Sequence, residues 1–137
     1  MIKKTVRGDI FQSAHRHIVF AVNAEGANDA GFAGLVSSRY WPELASIGSC
    51  ELGSVLTKSV DDRTFHACVV HDFGQTGWSR APELVEQCLN KLDVPDAEEI
   101  GIVAMGVGMI GMMSGANPQA IMEGMNRSNK KVVVYSL

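Results

Sequence analysis

No run of apolar residues in this chain approaches the roughly 20 that a membrane-spanning helix needs. The N-terminus enters a charged, strand-like stretch without the apolar segment of a secretion signal, so the expectation is a cytoplasmic protein with no membrane partner. Positive charge is scarce too. Twelve Lys and Arg stand against 15 Asp and Glu, a net charge of −3, and the basic residues form no cluster. That argues against a general nucleic-acid surface. It leaves room for a single anionic ligand, because loop amides and helix N-termini hold phosphate without basic side chains. Cysteine is sparse and odd in number: Cys50, Cys68 and Cys88, 18 and 20 residues apart, fit neither a zinc site nor a disulfide framework, and read as reduced thiols. Repeats, linkers and low-complexity segments are missing. What is present, 137 residues with 46% hydrophobic and 20% charged, suits one globular domain over residues 1–137 with a sizeable core.

Apolar patterning alternates between strand and helix along the chain. Ile2 to Arg7 reads as a strand, and His17 to Asn23 as a second, apolar enough to be buried on both faces. A loop from Ala24 to Gly34 leads into a helix ending near Ser46. Leu52 to Lys58 and Thr64 to Phe73 read as a hairpin around Val60, Asp61, Asp62 and Arg63. Leu84, Val85, Cys88, Leu89 and Leu92 give Ala81 to Leu92 helical spacing. A strand from Glu99 to Met105, a glycine loop, a helix from Asn117 to about Asn126 and a strand from Lys131 to Ser136 complete the chain. Asn117 followed by Pro118 reads as an N-cap with proline at the first helical position. The resulting fold class is α/β: a mixed central sheet with helices on both faces.

The glycine loop carries the most chemistry. Gly106, Val107, Gly108, Met109, Ile110 and Gly111 follow an apolar strand and precede a helix, and glycines there let backbone N–H groups approach a phosphate. A Rossmann turn would need an acidic residue about 20 positions on, whereas the last acid in the chain is Glu123. A P-loop lacks its Gly-Lys-Ser/Thr. The alternatives are a phosphate-cradling turn in the last βαβ unit or a glycine-rich connector that cradles nothing. Of His15, His17, His66 and His71, the first two alternate on a strand and point to one face. Two ligands do not make a zinc site and no third follows at a usual spacing, so no metal is expected. His71 and Asp72 are strand neighbours whose side chains point to opposite faces, which disfavours a base–orienter pair. Most of the methionines around the loop and in the last helix read as core filler, with Met109, Met112 or Met113 as an alternative apolar wall for a ligand.

Several segments together resemble one family. Arg7-Gly8-Asp9-Ile10-Phe11 after a strand, Val22-Asn23-Ala24 at the end of a buried strand, the glycine loops, and a closing Val134-Tyr135-Ser136-Leu137 are similar to the macro domain, the ADP-ribose-binding module. The nearest pattern is the small branch that includes the terminal ADP-ribose protein glycohydrolase. The resemblance spans essentially the whole chain and implies a three-layer α/β/α sandwich. It implies that Asp9 accepts the adenine amine while the Ile10 amide donates to the ring; a strand-end or capping Asp is the plainer alternative. Asn23, and Gly31, Phe32, Ala33 and Gly34, would lie beside the distal ribose, against the plainer alternative that residues 31–34 are a helix entry needing small residues. Gly106 through Gly111 would hold the diphosphate. Tyr135 and Leu137 would close the adenine end, against the alternative of an exposed terminal tyrosine.

Departures from the pattern are equally informative. Where the glycohydrolase branch has a nucleophilic lysine, this chain has His71, and Ile110 replaces the assisting acid. In the other hydrolytic branch an asparagine and an acid flank the first glycine loop; Asn23 is kept, but Gly26 takes the second position and Phe32 interrupts the glycines. Asn28 and Asp29 offer polar groups only from a shifted loop. Three readings follow: a binder of ADP-ribose or a related NAD-derived nucleotide, free or on ADP-ribosylated macromolecules; an ADP-ribosyl hydrolase with a rearranged site using His71, Asp29 or positioned water; and a pocketless interaction domain. None calls for a cofactor.

Overall fold

The computed structural model describes residues 1–136; Leu137 and the side chains of Met109 and Ile110 lie outside the described residues, as do the contacts expected of them. Strands β1 (Ile2–Arg7), β2 (His17–Asn23), β3 (Val55–Val60), β4 (Arg63–His71), β5 (Glu99–Val103) and β6 (Lys131–Ser136) form one sheet in the spatial order β1-β6-β5-β2-β4-β3. Neighbours are parallel throughout except β3, which runs antiparallel to β4 at one edge. The strand β2 sits between β5 and β4 with Ile18, Val19, Phe20 and Val22 almost wholly buried, as its unbroken apolar run requires.

Helices α1 (Gly31–Arg39), α2 (Ala81–Lys91), α3 (Met109–Met113) and α4 (Pro118–Arg127) complete the molecule. On one face, Leu84, Val85 and Leu89 of α2 and Ile121 and Met125 of α4 pack with Val19, Val70, Ile100, Ile102, Val132 and Val134. On the other, Ala33 and Val36 of α1 join Trp41 and Leu44 over Phe20, Val22, Phe65 and Ala67. The result is a three-layer α/β/α sandwich. Asn117 caps α4 by accepting the Ala120 amide at 3.1 Å, and Pro118 takes the first position. Cys50, Cys68 and Cys88 are all free, and the Cys68 and Cys88 thiols meet in the core between β4 and α2. No helix among the described residues is long and apolar enough to cross a membrane.

Differences from the sequence reading have local causes. The first helix takes in the last four residues of the expected loop, starting at Gly31, and stops at Arg39 rather than near Ser46. Pro42 has no amide to continue it and drives Trp41 out of the helical region (φ −140°, ψ 72°), after which Pro42–Ala45 forms a short 3₁₀ turn. The hairpin is shifted: β3 begins at Val55 and β4 ends at His71. Its turn rests on Asp61 with φ +56°, a left-handed conformation that Asp tolerates better than most residues. Strand β5 ends at Val103 rather than Met105.

Candidate functional site

Topology locates a cleft before any side chain is considered. After β2 the chain leaves through residues 24–30 into α1 on one face of the sheet; after β5 it leaves through residues 104–108 towards α3 and α4, and α4 packs on the opposite face. Strands β2 and β5 are adjacent and parallel, so the two exits diverge at a switch point, where open α/β sheets bind ligands beyond their strand ends. Along this edge the strand order sets out the candidate residues in sequence: Asp9 after β1, Tyr135 on β6, the glycine loop after β5, Asn23 and α1 after β2, and His71 ending β4. Four strand spacings of about 4.8 Å separate the ends, so the row extends over about 19 Å.

Two of the loop's glycines are structural and one is open. Gly106 has φ +73°, and a Cβ there would come within 2.8 Å of the Ala116 side chain and 3.2 Å of Ile121. Gly111 is buried against it, where a Cβ would lie 3.1 Å from the Gly106 Cα. Gly108, by contrast, is exposed with nothing within 4 Å of a Cβ, and its neighbour Val107 is 52% exposed. The loop is pinned at both ends and presents its middle outward.

At the β1 end, Asp9 is exposed and caps a short 3₁₀ turn (Ile10–Gln12) by accepting the Phe11 amide at 2.9 Å. Ile10 is 3% exposed and lies over Gly101, whose missing side chain makes room for it and for His15. The Tyr135 hydroxyl hydrogen-bonds His15 Nε2 at 2.8 Å, so this tyrosine is an anchored, half-buried ring. Arg63 ties the whole segment down, donating to the Phe11, Ser13 and His15 carbonyls at 3.2, 2.6 and 3.2 Å.

The first glycine segment is the opening turn of α1 rather than a loop. Gly31 has φ +61°, and Gly34 packs so closely that a Cβ would come within 2.8 Å of the Asp29 carbonyl. Ala30, the N-cap, provides no side-chain acceptor, so nothing from the cap satisfies the first amides of α1. Phe32 turns towards the sheet and stacks on Phe11, ring centroids 5.0 Å apart and 12° from parallel. Asn23 is buried with both ends of its amide on Ala27: Nδ2 donates to the carbonyl at 2.8 Å, and Oδ1 accepts the N–H at 3.0 Å. Asn28 is spent likewise on the Asn23 amide and the Leu44 carbonyl. Asp29 is exposed.

At the β4 end, His71 stacks on Trp78 with centroids 3.9 Å apart and planes 9° from parallel. Burial pushes its imidazole below the usual pKa, outweighing the opposing pull of Glu25 and Asp72, so the ring is predominantly neutral at pH 7. Asp72 turns away and closes its own loop, accepting the Gly77 amide at 2.7 Å and the Thr76 amide at 3.0 Å. Those bonds hold its carboxyl below the ordinary range and bring Trp78 back over His71. Glu25 joins the loops after β2 and β4 by accepting the Phe73 amide at 3.2 Å. Trp78 also backs the glycine loop, 3.8 Å from where a Gly106 Cβ would stand. Trp78 and Glu25 were not singled out from the sequence, and His15 and Arg63 were named there only as a metal-ligand candidate and a hairpin-turn residue. Only Trp78 left a signal there: a large apolar ring in a polar, glycine-bearing loop, with no helical or strand periodicity to bury it. No group of three metal-ligating side chains occurs among the described residues.

No family model matches this chain, and no curated protein matches it. Solved structures do. The macrodomain of Thermus aquaticus DarG aligns with a TM-score of 0.71 at 15% identity, covering 100% of this chain and 99% of that one. The macrodomain of Mycobacterium tuberculosis DarG gives 0.71 at 14%, over 100% and 98%. A Trypanosoma brucei macrodomain in complex with ADP-ribose gives 0.62 at 15%, over 96% and 62%. Identities this low carry the architecture and not the chemistry: the chain has the macrodomain fold.

Proposed function

We propose that the protein binds ADP-ribose, or a related nucleotide derived from NAD, along the sheet edge without turning it over. The carrying observation is the order of groups across the switch point. Asp9 and Tyr135 lie at one end, the outward-facing Gly108 loop and the uncapped start of α1 in the middle, and His71 at the other. An adenosine, a diphosphate and a second ribose would follow in that order. Phosphate held by amides rather than by Lys or Arg agrees with the net charge of −3. The Trypanosoma brucei macrodomain, which shares the fold, was solved with ADP-ribose bound.

Binding is favoured over hydrolysis by what the polar groups are already doing. The Asn23 amide is consumed at both ends, and His71 is a stacked, neutral ring with no hydrogen-bonded carboxylate among the described residues to orient it. Titration calorimetry with ADP-ribose, and with AMP and NAD as comparisons, tests the reading. A micromolar or tighter ADP-ribose complex is expected, with no release of ADP-ribose from a modified protein. Gly108→Glu should abolish binding and leave the melting curve unchanged, because the new side chain enters open space and places a carboxylate against the diphosphate. Unchanged affinity in that variant would remove the loop from the site.

A further inference from the structure

We propose that the His71 end of the cleft is a subsite for a planar ring carried on the second ribose, best suited to a cationic, pyridinium-type ring. The inference deepens the nucleotide-binding reading and rests on it. Its ground is an aromatic cluster that is anchored in the core by Trp78, on the α2 and α4 side, and ends in solvent at Phe73. The imidazole of His71 lies flat on Trp78, and Phe73 stands 6.3 Å from it, tilted by 59° and 65% exposed. An apolar ring this exposed costs solvation free energy that a stacking partner would recover.

The position is specific. Trp78 lies beside the buried start of the glycine loop at Gly106, so the cluster adjoins the loop that would hold the phosphates, and a group on the second ribose would be directed towards it. A ring laid beside His71 would meet the solvent-exposed ring of Phe73. The charge is suitable as well. Glu25 is exposed and fixed beside this cluster through the Phe73 amide, and aromatic faces next to a carboxylate favour a cation over a neutral group. A bare hydroxyl on the distal ribose would leave these faces unused.

Calorimetry on the intact chain with NAD⁺ and ADP-ribose separates this inference from the one beneath it. Wild type should bind NAD⁺ about tenfold more tightly than ADP-ribose, the scale of one stacked ring. Phe73→Ala should erase that advantage while ADP-ribose affinity stays within about twofold, and Phe73→Trp should restore it. Phe73 is exposed enough that these variants should fold normally, which a melting curve checks. Equal or weaker binding of NAD⁺ by wild type would overturn the ring subsite alone. So would a Phe73→Ala variant that loses both ligands equally. Failure of both ligands to bind wild type would overturn the nucleotide reading and the subsite with it.

Discussion

Asp9 uses one carboxylate oxygen to accept the Phe11 amide, and its other oxygen has no protein donor among the described residues. Capping and adenine recognition are therefore compatible roles. Replacement by alanine would confound them, since loss of an N-cap alone costs about 1 kcal/mol. Asp9→Asn separates the two. The amide oxygen can still accept from Phe11, while the NH₂ now faces an adenine amine, donor against donor. The expected result is an unchanged melting temperature and a loss of adenosine-end affinity of about 1.5–3 kcal/mol, measured by calorimetry with ADP-ribose and AMP. If adenine and guanine nucleotides bind wild type equally well, Asp9 does not read the base. The placement of Asp9 beyond the first strand was legible in the sequence, because a Gly-Asp pair after a strand-like stretch marks its end. The fate of Asn23 was not. Its partner is the backbone of Ala27, four residues on, and only the loop's path brings the two together.

Among the elements, α2 and α4 show how little a sequence says about contacts between helices. Each has an apolar stripe that predicts a buried face, yet their closest approach depends on Gly124. A Cβ there would lie 2.1 Å from the Pro82 carbonyl oxygen. Gly124→Ala gains about 1 kcal/mol in helix propensity, but the backbone clash costs more, about 2–3 kcal/mol from forced helix displacement. A net loss of about 1–2 kcal/mol is expected, seen as a fall of roughly 5 °C in melting temperature. A rise would show that the helices separate freely. Helix α3 was missed for a related reason. Five residues, one of them Gly111, carry too little periodicity to distinguish a helix from a loop, and Gly111 packs closely on Gly106.

At the scale of the whole molecule, histidines beyond the cleft link stability to pH. His66 is buried on β4 with its Nε2 2.9 Å from His17 Nδ1, while His17 Nε2 lies 3.4 Å from Glu98. Buried His66 Nδ1 has no hydrogen-bond partner among the described residues, so the proton belongs on Nε2, donated to His17. Burial first, and His17 second, push the His66 pKa down from 6.5 to about 4, against a weaker opposing pull from Asp93. A depressed histidine pKa means that the unfolded chain binds the proton more readily. Its stabilising contribution is complete above pH 6.5 and is lost as the pH falls towards 4, to an outer bound of about 3 kcal/mol. Urea midpoints should drop between pH 7.5 and 4.5, with the drop smaller in His66→Leu. An equal drop in both proteins would assign the protons to other groups. His71, also depressed by burial, adds a change of the same sign.

The sequence by itself determined the class of fold and the order of its layers. Apolar runs and helical stripes are local patterns, and a nearly all-apolar strand such as β2 is stable only when both of its faces are covered. Glycines at 106 and 111 and the acid at position 9 were also visible as backbone requirements and a strand end. The tertiary structure alone decided which groups meet. It set the strand order that spreads Asp9, the glycine loop and His71 along one edge, and it folded Trp78 back onto His71 through the amides bound by Asp72. It also spent the Asn23 side chain on a neighbouring loop. Such partnerships join groups whose separation in space depends on the path of the whole chain, and no local periodicity encodes that path.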